Sequence, residues 1–165
     1  MDKIIVIGSP GAGKSTFARR LRDITGIPLY YLDMFWHKPD QTNFTREEFD
    51  IRLKEIIKKD RWIIDGNYQR TIELRIKECD TVFFMDFPLE VCLAGVAARI
   101  GQKREDMPWI EAEFDEGFRE DIIAFPGKKR PQIYNLLEKY QGNKKILVFR
   151  AREEADKYLK QIANN

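Results

Sequence analysis

The stretch Ile4-Ile5-Val6-Ile7-Gly8-Ser9-Pro10-Gly11-Ala12-Gly13-Lys14-Ser15 decides how this chain folds. Four consecutive apolar residues read as a buried strand, and the segment from Gly8 to Ser15 fits the pattern GxxxxGK[ST]. Phe17, Leu21 and Ile24 then recur at helical spacing, so the glycine-rich turn is expected to join a strand to an amphipathic helix. That setting gives the pattern its chemistry. Gly8, Gly11 and Gly13 let the backbone turn through conformations that a Cβ would obstruct, which brings peptide N–H groups together around an anion. The helix N-terminus adds unsatisfied donors and a partial positive charge. Lys14 is placed to reach the β- and γ-phosphates of a nucleotide, and the Ser15 hydroxyl to ligate Mg²⁺. The residues Gly8, Ser9, Pro10, Gly11, Ala12, Gly13, Lys14, Ser15 and Thr16 are therefore the expected ATP-binding loop.

Outward from this loop, strand-like runs lie at Ile4 to Ile7, Leu29 to Leu32, Trp62 to Ile64, Thr81 to Met85 and Ile146 to Phe149. Helical patterns separate them: Phe49, Leu53, Ile56 and Ile57 share one face, Leu89 to Arg99 and Pro131 to Tyr140 each have Pro near the start, and a last helix is expected over Glu153 to Ile162. Alternating strands and helices imply a parallel sheet covered on both faces, a three-layer α/β fold. The chain has 165 residues, 43% hydrophobic and 34% charged, which suits one soluble domain over 1–165. From Gly101 to about Pro131 the sequence mixes Gly and Pro with charges, and reads either as a mobile flap over a site or as a plain surface excursion.

The formal charge of +2 is too mild for the footprint of a nucleic-acid binder. The apolar run that follows Met1-Asp2-Lys3 is too short for a signal peptide or a membrane span, so a cytoplasmic location is expected. Cys79 and Cys92 have no metal-binding spacing and read as reduced core residues. His37 is the only histidine, which speaks against a Ser-His-Asp hydrolase or a histidine-rich metal site, and it reads as incidental.

A P-loop needs a carboxylate at a neighbouring strand end to hold its metal. Asp65, closing Trp62-Ile63-Ile64, is the first candidate and Asp86, closing Val82 to Met85, the second. Asp33 ends the second apolar run, where it either holds the acceptor and acts as base or caps the segment that follows.

The pieces "GSPGAGKST", "YYLDMFW", "WIIDGNY", "FFMDFP", "REDMP" and "FPGKKRP", in that order, give the chain a resemblance over nearly its whole length. It resembles the adenylate-kinase-related P-loop proteins known as DNA topology modulation proteins. The resemblance implies the nucleoside-kinase fold with strand order 2-3-1-4-5, a nucleotide site at Gly8 to Thr16 and a lid carrying arginines, with Arg99, Lys103 and Arg104 at the matching positions and Arg119 and Arg130 able to complete a clamp. "DGNYQRT" is similar to the "DGFPRT" of adenylate kinase but holds one extra residue before Arg70-Thr71, and Phe35 and Trp36 stand where an Arg would follow Asp33. These departures argue against AMP as acceptor, because a monophosphate clamp uses guanidinium forks. An acceptor pocket is expected between Asp33, Phe35, Trp36 and the turn Asn67-Tyr68-Gln69-Arg70.

Two functions follow as expectations. The first is a Mg-ATP phosphotransferase acting on a small nucleoside, nucleotide or hydroxyl-bearing metabolite, with Lys14, Asp65, Arg99, Arg104 and Asp33 catalytic and Ser15 and Asp65 holding the metal. The second is a nucleotide-binding regulator of DNA topology with slow turnover.

Overall fold

A computed structural model describes residues 1–164. Five parallel strands, β1 (Lys3–Gly8), β2 (Leu29–Tyr31), β3 (Trp62–Asp65), β4 (Thr81–Met85) and β5 (Lys145–Phe149), form one sheet in the order β2-β3-β1-β4-β5. The helices are α1 (Lys14–Thr25), α2 (Asp33–Trp36), α3 (Arg46–Ile57), α4 (Gln69–Glu78), α5 (Leu89–Arg99), α6 (Glu116–Tyr140) and α7 (Arg152–Ala163). The expected three-layer architecture is the observed one.

The central strand β1 is buried on both faces, which its unbroken apolar run requires. Ile4 and Val6 join Phe17, Leu21, Phe83 and Leu159 on one side, whereas Ile5 and Ile7 join Phe49, Leu53, Ile72 and Phe84 on the other. Ile24 departs from the expected stripe: it is 36% exposed, and Ala18 takes the third buried place on α1. The start of α3 is closed by a capping box, in which the Glu48 N–H donates to Thr45 Oγ1 (3.1 Å) and the Thr45 N–H to Glu48 Oε2 (2.7 Å).

The segment expected to be irregular as far as Pro131 stops at Asp115, and α6 runs through both Pro126 and Pro131. Each proline removes a backbone hydrogen bond at a cost of about 3 kcal/mol. Packing offsets that cost, because Ile122 enters one core while Phe125, Ile133 and Leu137 enter the other, and Asp115 caps the first turn by accepting from the Phe118 N–H (2.7 Å). What remains of the flap is the stretch 101–115.

Candidate functional site: a P-loop cleft

The register of the sheet assembles the site. β3 lies beside β1 with Val6 opposite Asp65, and β2 lies beside β3 with Tyr31 opposite Asp65, so the residues that close these strands meet at one edge. Above that edge opens a cleft of about 700 Å³, lined among others by Pro10, Lys14, Ser15, Asp33, Asp65, Asn67, Tyr68, Arg99 and Arg104.

The loop itself needs its glycines. At Gly8 (φ 151°) a Cβ would lie 2.5 Å from the Met85 carbonyl oxygen of β4, and at Gly11 (φ 80°) it would overlap the Cys92 carbonyl of α5. The loop is thus wedged between β4 and α5. Helix α1 begins at Lys14 behind Gly13, which leaves its first N–H groups, including those of Ser15 and Thr16, without carbonyl partners inside the helix. The Lys14 ammonium donates to the Ser9 carbonyl (3.0 Å), and desolvation lowers its pKa against the pull of Asp65 and Asp33.

Ser15 Oγ donates to Asp65 Oδ2 at 2.5 Å. Asp65 is only 5% exposed, and burial pushes its carboxyl up to about 6 although Lys14 and Ser15 hold it down. Its other oxygen, Oδ1, is buried without a hydrogen-bond partner. A hydroxyl and a carboxylate with one uncommitted oxygen, next to a phosphate-type loop, are donors that suit Mg²⁺. No cluster of three His, Cys, Asp or Glu groups of metal-binding type exists among the described residues, so the rest of a Mg²⁺ shell would be phosphate and water.

Asp86, the second candidate for the metal, is committed elsewhere. Arg130 forks onto it (Nε to Oδ1 2.9 Å, Nη2 to Oδ2 3.0 Å), and the Tyr134 hydroxyl donates to Oδ2 (2.6 Å). It anchors α6 to the end of β4 and faces a smaller cavity, of about 320 Å³.

On the acceptor side, Asp33 opens α2 and accepts from the Tyr68 hydroxyl (2.7 Å). Tyr68 stands in the left-handed region (φ 40°) ahead of α4. That turn is held from below by Arg75, whose side chain is wholly buried and forms no salt bridge with a carboxylate among the described residues. Its Nη1 donates to the Gly66 carbonyl (2.8 Å), Nη2 to those of Asn67 and Tyr68, and Nε to that of Thr71 (3.3 Å). Burial lowers the guanidinium pKa to about 9, which still leaves it charged near neutral pH.

The rest of the expected pocket is arranged differently. Arg70 lies outside the cleft on the exposed surface, forked onto Asp50 (2.7 and 3.0 Å). Phe35 and Trp36 pack edge-on against Phe49, with ring centroids 6.2 and 6.4 Å away. His37, read as incidental, lines the cleft instead, edge-on to Trp109 with centroids 4.9 Å apart. No local signal marks that pair, because the two rings come from distant segments.

Arg99, at the end of α5, and Arg104, from the flap, both reach the cleft and share Glu111 (3.0 Å each), and Arg104 also pairs with Asp106 (2.9 Å). Asp106, 3% exposed, reaches back to Arg19 of α1 (3.3 Å), and Glu105 to Arg22 (2.6 Å). Lys103 and Arg119 are exposed and lie outside the cleft lining, the latter beside Glu116. Among the described residues, no helix is long and apolar enough to cross a membrane.

No protein-family model matches the chain. In sequence it is similar to the adenylate kinase of Thermotoga petrophila, with 33% identity over 98 residues covering 57% of this chain and 43% of that protein. The adenylate kinase of Thermosipho melanesiensis is 25% identical over 142 residues, 81% of this chain and 64% of its own. The chain thus spans less than half the length of the Thermotoga relatives. In fold it is similar to shikimate kinase from Acinetobacter baumannii in complex with shikimate (TM-score 0.62, 18% identity, 100% of this chain and 94% of that one). A sugar kinase from Janibacter sp. follows at TM-score 0.55 and 16% identity, over 98% of this chain and 91% of that one. The chain shares the fold of these two structures.

Proposed function

We propose that the chain is an ATP-dependent phosphotransferase that uses Mg²⁺ and moves the γ-phosphoryl group to a small acceptor. The observation that carries this reading is the contact of Ser15 with Asp65 at the foot of the loop, with Oδ1 of Asp65 uncommitted. Ser15 and Asp65 would hold the metal, and Mg²⁺ when bound would neutralise charge on the β- and γ-phosphates. The N–H groups of Gly13 to Thr16 cradle the phosphates, Lys14 bridges toward the γ-phosphoryl group, and Arg99 and Arg104 offer guanidinium charge once they exchange Glu111 for phosphate oxygens. Asp33 faces the acceptor across the cleft. Positioning and charge neutralisation supply most of the rate in such a transfer, since the protein forms no covalent bond.

The similarity to adenylate kinases and the shared fold of shikimate and sugar kinases support a kinase over a hydrolase. The regulatory reading, and with it the narrower kinship to DNA topology modulation proteins, gains nothing from the surface, where basic groups alternate with acidic partners, as in Arg22 with Glu105, Arg61 with Asp2 and Lys139 with Glu73. Equilibrium binding of a fluorescent ATP analogue, with and without a chelator, tests the proposal: binding that tightens with Mg²⁺ supports it, and metal-independent or absent binding refutes it.

A further inference from the structure

The second substrate can be narrowed by asking where the arginines go, an argument that rests on the phosphotransferase reading above. A nucleoside monophosphate brings a compact anion, and proteins that take one commit guanidinium forks to it. The acceptor half of this cleft has none to commit. Arg70 is forked onto Asp50 outside the cleft, and Arg75 points inward onto four backbone carbonyls. Arg99 at the end of α5 and Arg104 on the flap both pair with Glu111. Over the whole lining, six carboxylates face four lysine and arginine side chains, so anions gain no general attraction from the walls.

What the acceptor half presents is of another kind. Asp33 has one oxygen engaged by the Tyr68 hydroxyl. Gln69 lines the same wall with its Oε1 buried and unpartnered. The edge-on pair of His37 and Trp109 supplies flat apolar surface with a ring nitrogen beside it. A carboxylate, an amide acceptor and aromatic faces suit hydroxyl donors on a planar or cyclic skeleton.

We propose that the acceptor is an uncharged, ring-bearing alcohol, and that Asp33 is the base for its reacting hydroxyl. In the transfer, the acceptor's O–H proton passes to the Asp33 carboxylate as the oxygen lone pair bonds to the γ-phosphorus. The bond from that phosphorus to the β,γ-bridging oxygen breaks, and its electron pair leaves with ADP. The Tyr68 hydroxyl fixes Asp33 by holding Oδ1, which turns Oδ2 to the acceptor.

The test is ADP release from Mg-ATP in two arms, run on protein whose Mg-ATP binding has first been measured. One arm adds AMP, GMP, CMP or UMP; the other adds the matching nucleosides, cyclic polyols and phenols. Release is expected in the second arm only. Asp33→Asn should slow it by about a hundredfold, the usual scale for loss of a general base. Tyr68→Phe should slow it less and raise the acceptor KM, an effect that a purely structural role would not produce selectively. Release driven by any monophosphate overturns the proposal, as does silence of both arms in protein that binds Mg-ATP. Absence of Mg-ATP binding would instead strike the phosphotransferase reading.

Discussion

The carboxamide of Asn67 is paired in both directions with the backbone of Gly8: the Gly8 N–H donates to Oδ1 (2.8 Å), and Nδ2 donates to the Gly8 carbonyl (2.5 Å). The turn that follows β3 is thereby locked to the first residue of the phosphate loop. Asn67→Ala leaves both backbone groups of Gly8 unpaired in a partly buried place, at about 1 to 3 kcal/mol. Thermal unfolding should register the loss, and a fluorescent ATP analogue should bind more weakly. Unchanged binding would mean that the loop holds its shape without Asn67.

Asp65 and Asp86 should separate cleanly. Asp65→Asn is expected to remove most of the Mg²⁺ dependence of nucleotide binding, whereas Asp86→Asn should destabilise the fold by only about 1 kcal/mol, because Arg130 is 43% exposed and stays solvated when its partner loses charge, while leaving Mg²⁺ dependence in place. Denaturation and metal titration of both variants check this, and the reverse ranking would move the metal to Asp86.

The raised pKa of Asp65 sets a pH dependence. The folded value is about 6 against 3.8 for an ordinary Asp, so between these values the folded state binds the extra proton and stability falls as pH rises. The full cost, on the order of 3 kcal/mol, is present above about pH 6 and absent below about pH 4. Without nucleotide, Asp65→Asn should be more stable than the parent at pH 7 and nearly equal to it at pH 4. Equal stabilities at both would contradict the assigned burial cost.

Much of this was legible in the sequence, and the exceptions have physical causes. Strand runs and the GxxxxGK[ST] turn specify the sheet and loop because each is local. The helix expected over Pro131 to Tyr140 is the C-terminal part of α6, but its first part, from Glu116, was hidden by Pro126, Gly127 and Pro131, breakers that the two cores override through Ile122, Phe125 and Ile133. No local pattern marks Arg75 for burial, since the turn it fills closes only in the fold, and Arg70, set against an adenylate-kinase motif by resemblance alone, is drawn away by Asp50 one helix back. The competition between Asp65 and Asp86 is decided by Arg130 and Tyr134, partners far along the chain.

The stretch 101–115 is tied to α1 through Glu105 with Arg22 and Asp106 with Arg19. A non-hydrolysable ATP analogue that draws Arg99 and Arg104 onto phosphate should order it further and slow trypsin cleavage after Lys103 and Arg104. Cleavage at the same rate with and without the analogue would reduce this stretch to a surface loop.

The central claim is that the loop from Gly8 to Thr16 binds the triphosphate through Lys14. The most direct measurement is Mg-ATP affinity by calorimetry for the parent and Lys14→Ala, with thermal unfolding recorded on both. Saturable binding to the parent is expected, with a loss of about a hundredfold or more in the variant, as for removal of a desolvated charge on phosphate, and a variant that still unfolds cooperatively, since among the described residues the side chain hydrogen-bonds to the Ser9 carbonyl and its attraction to Asp65 is set against its own desolvation. Equal affinity in the two proteins would contradict the claim.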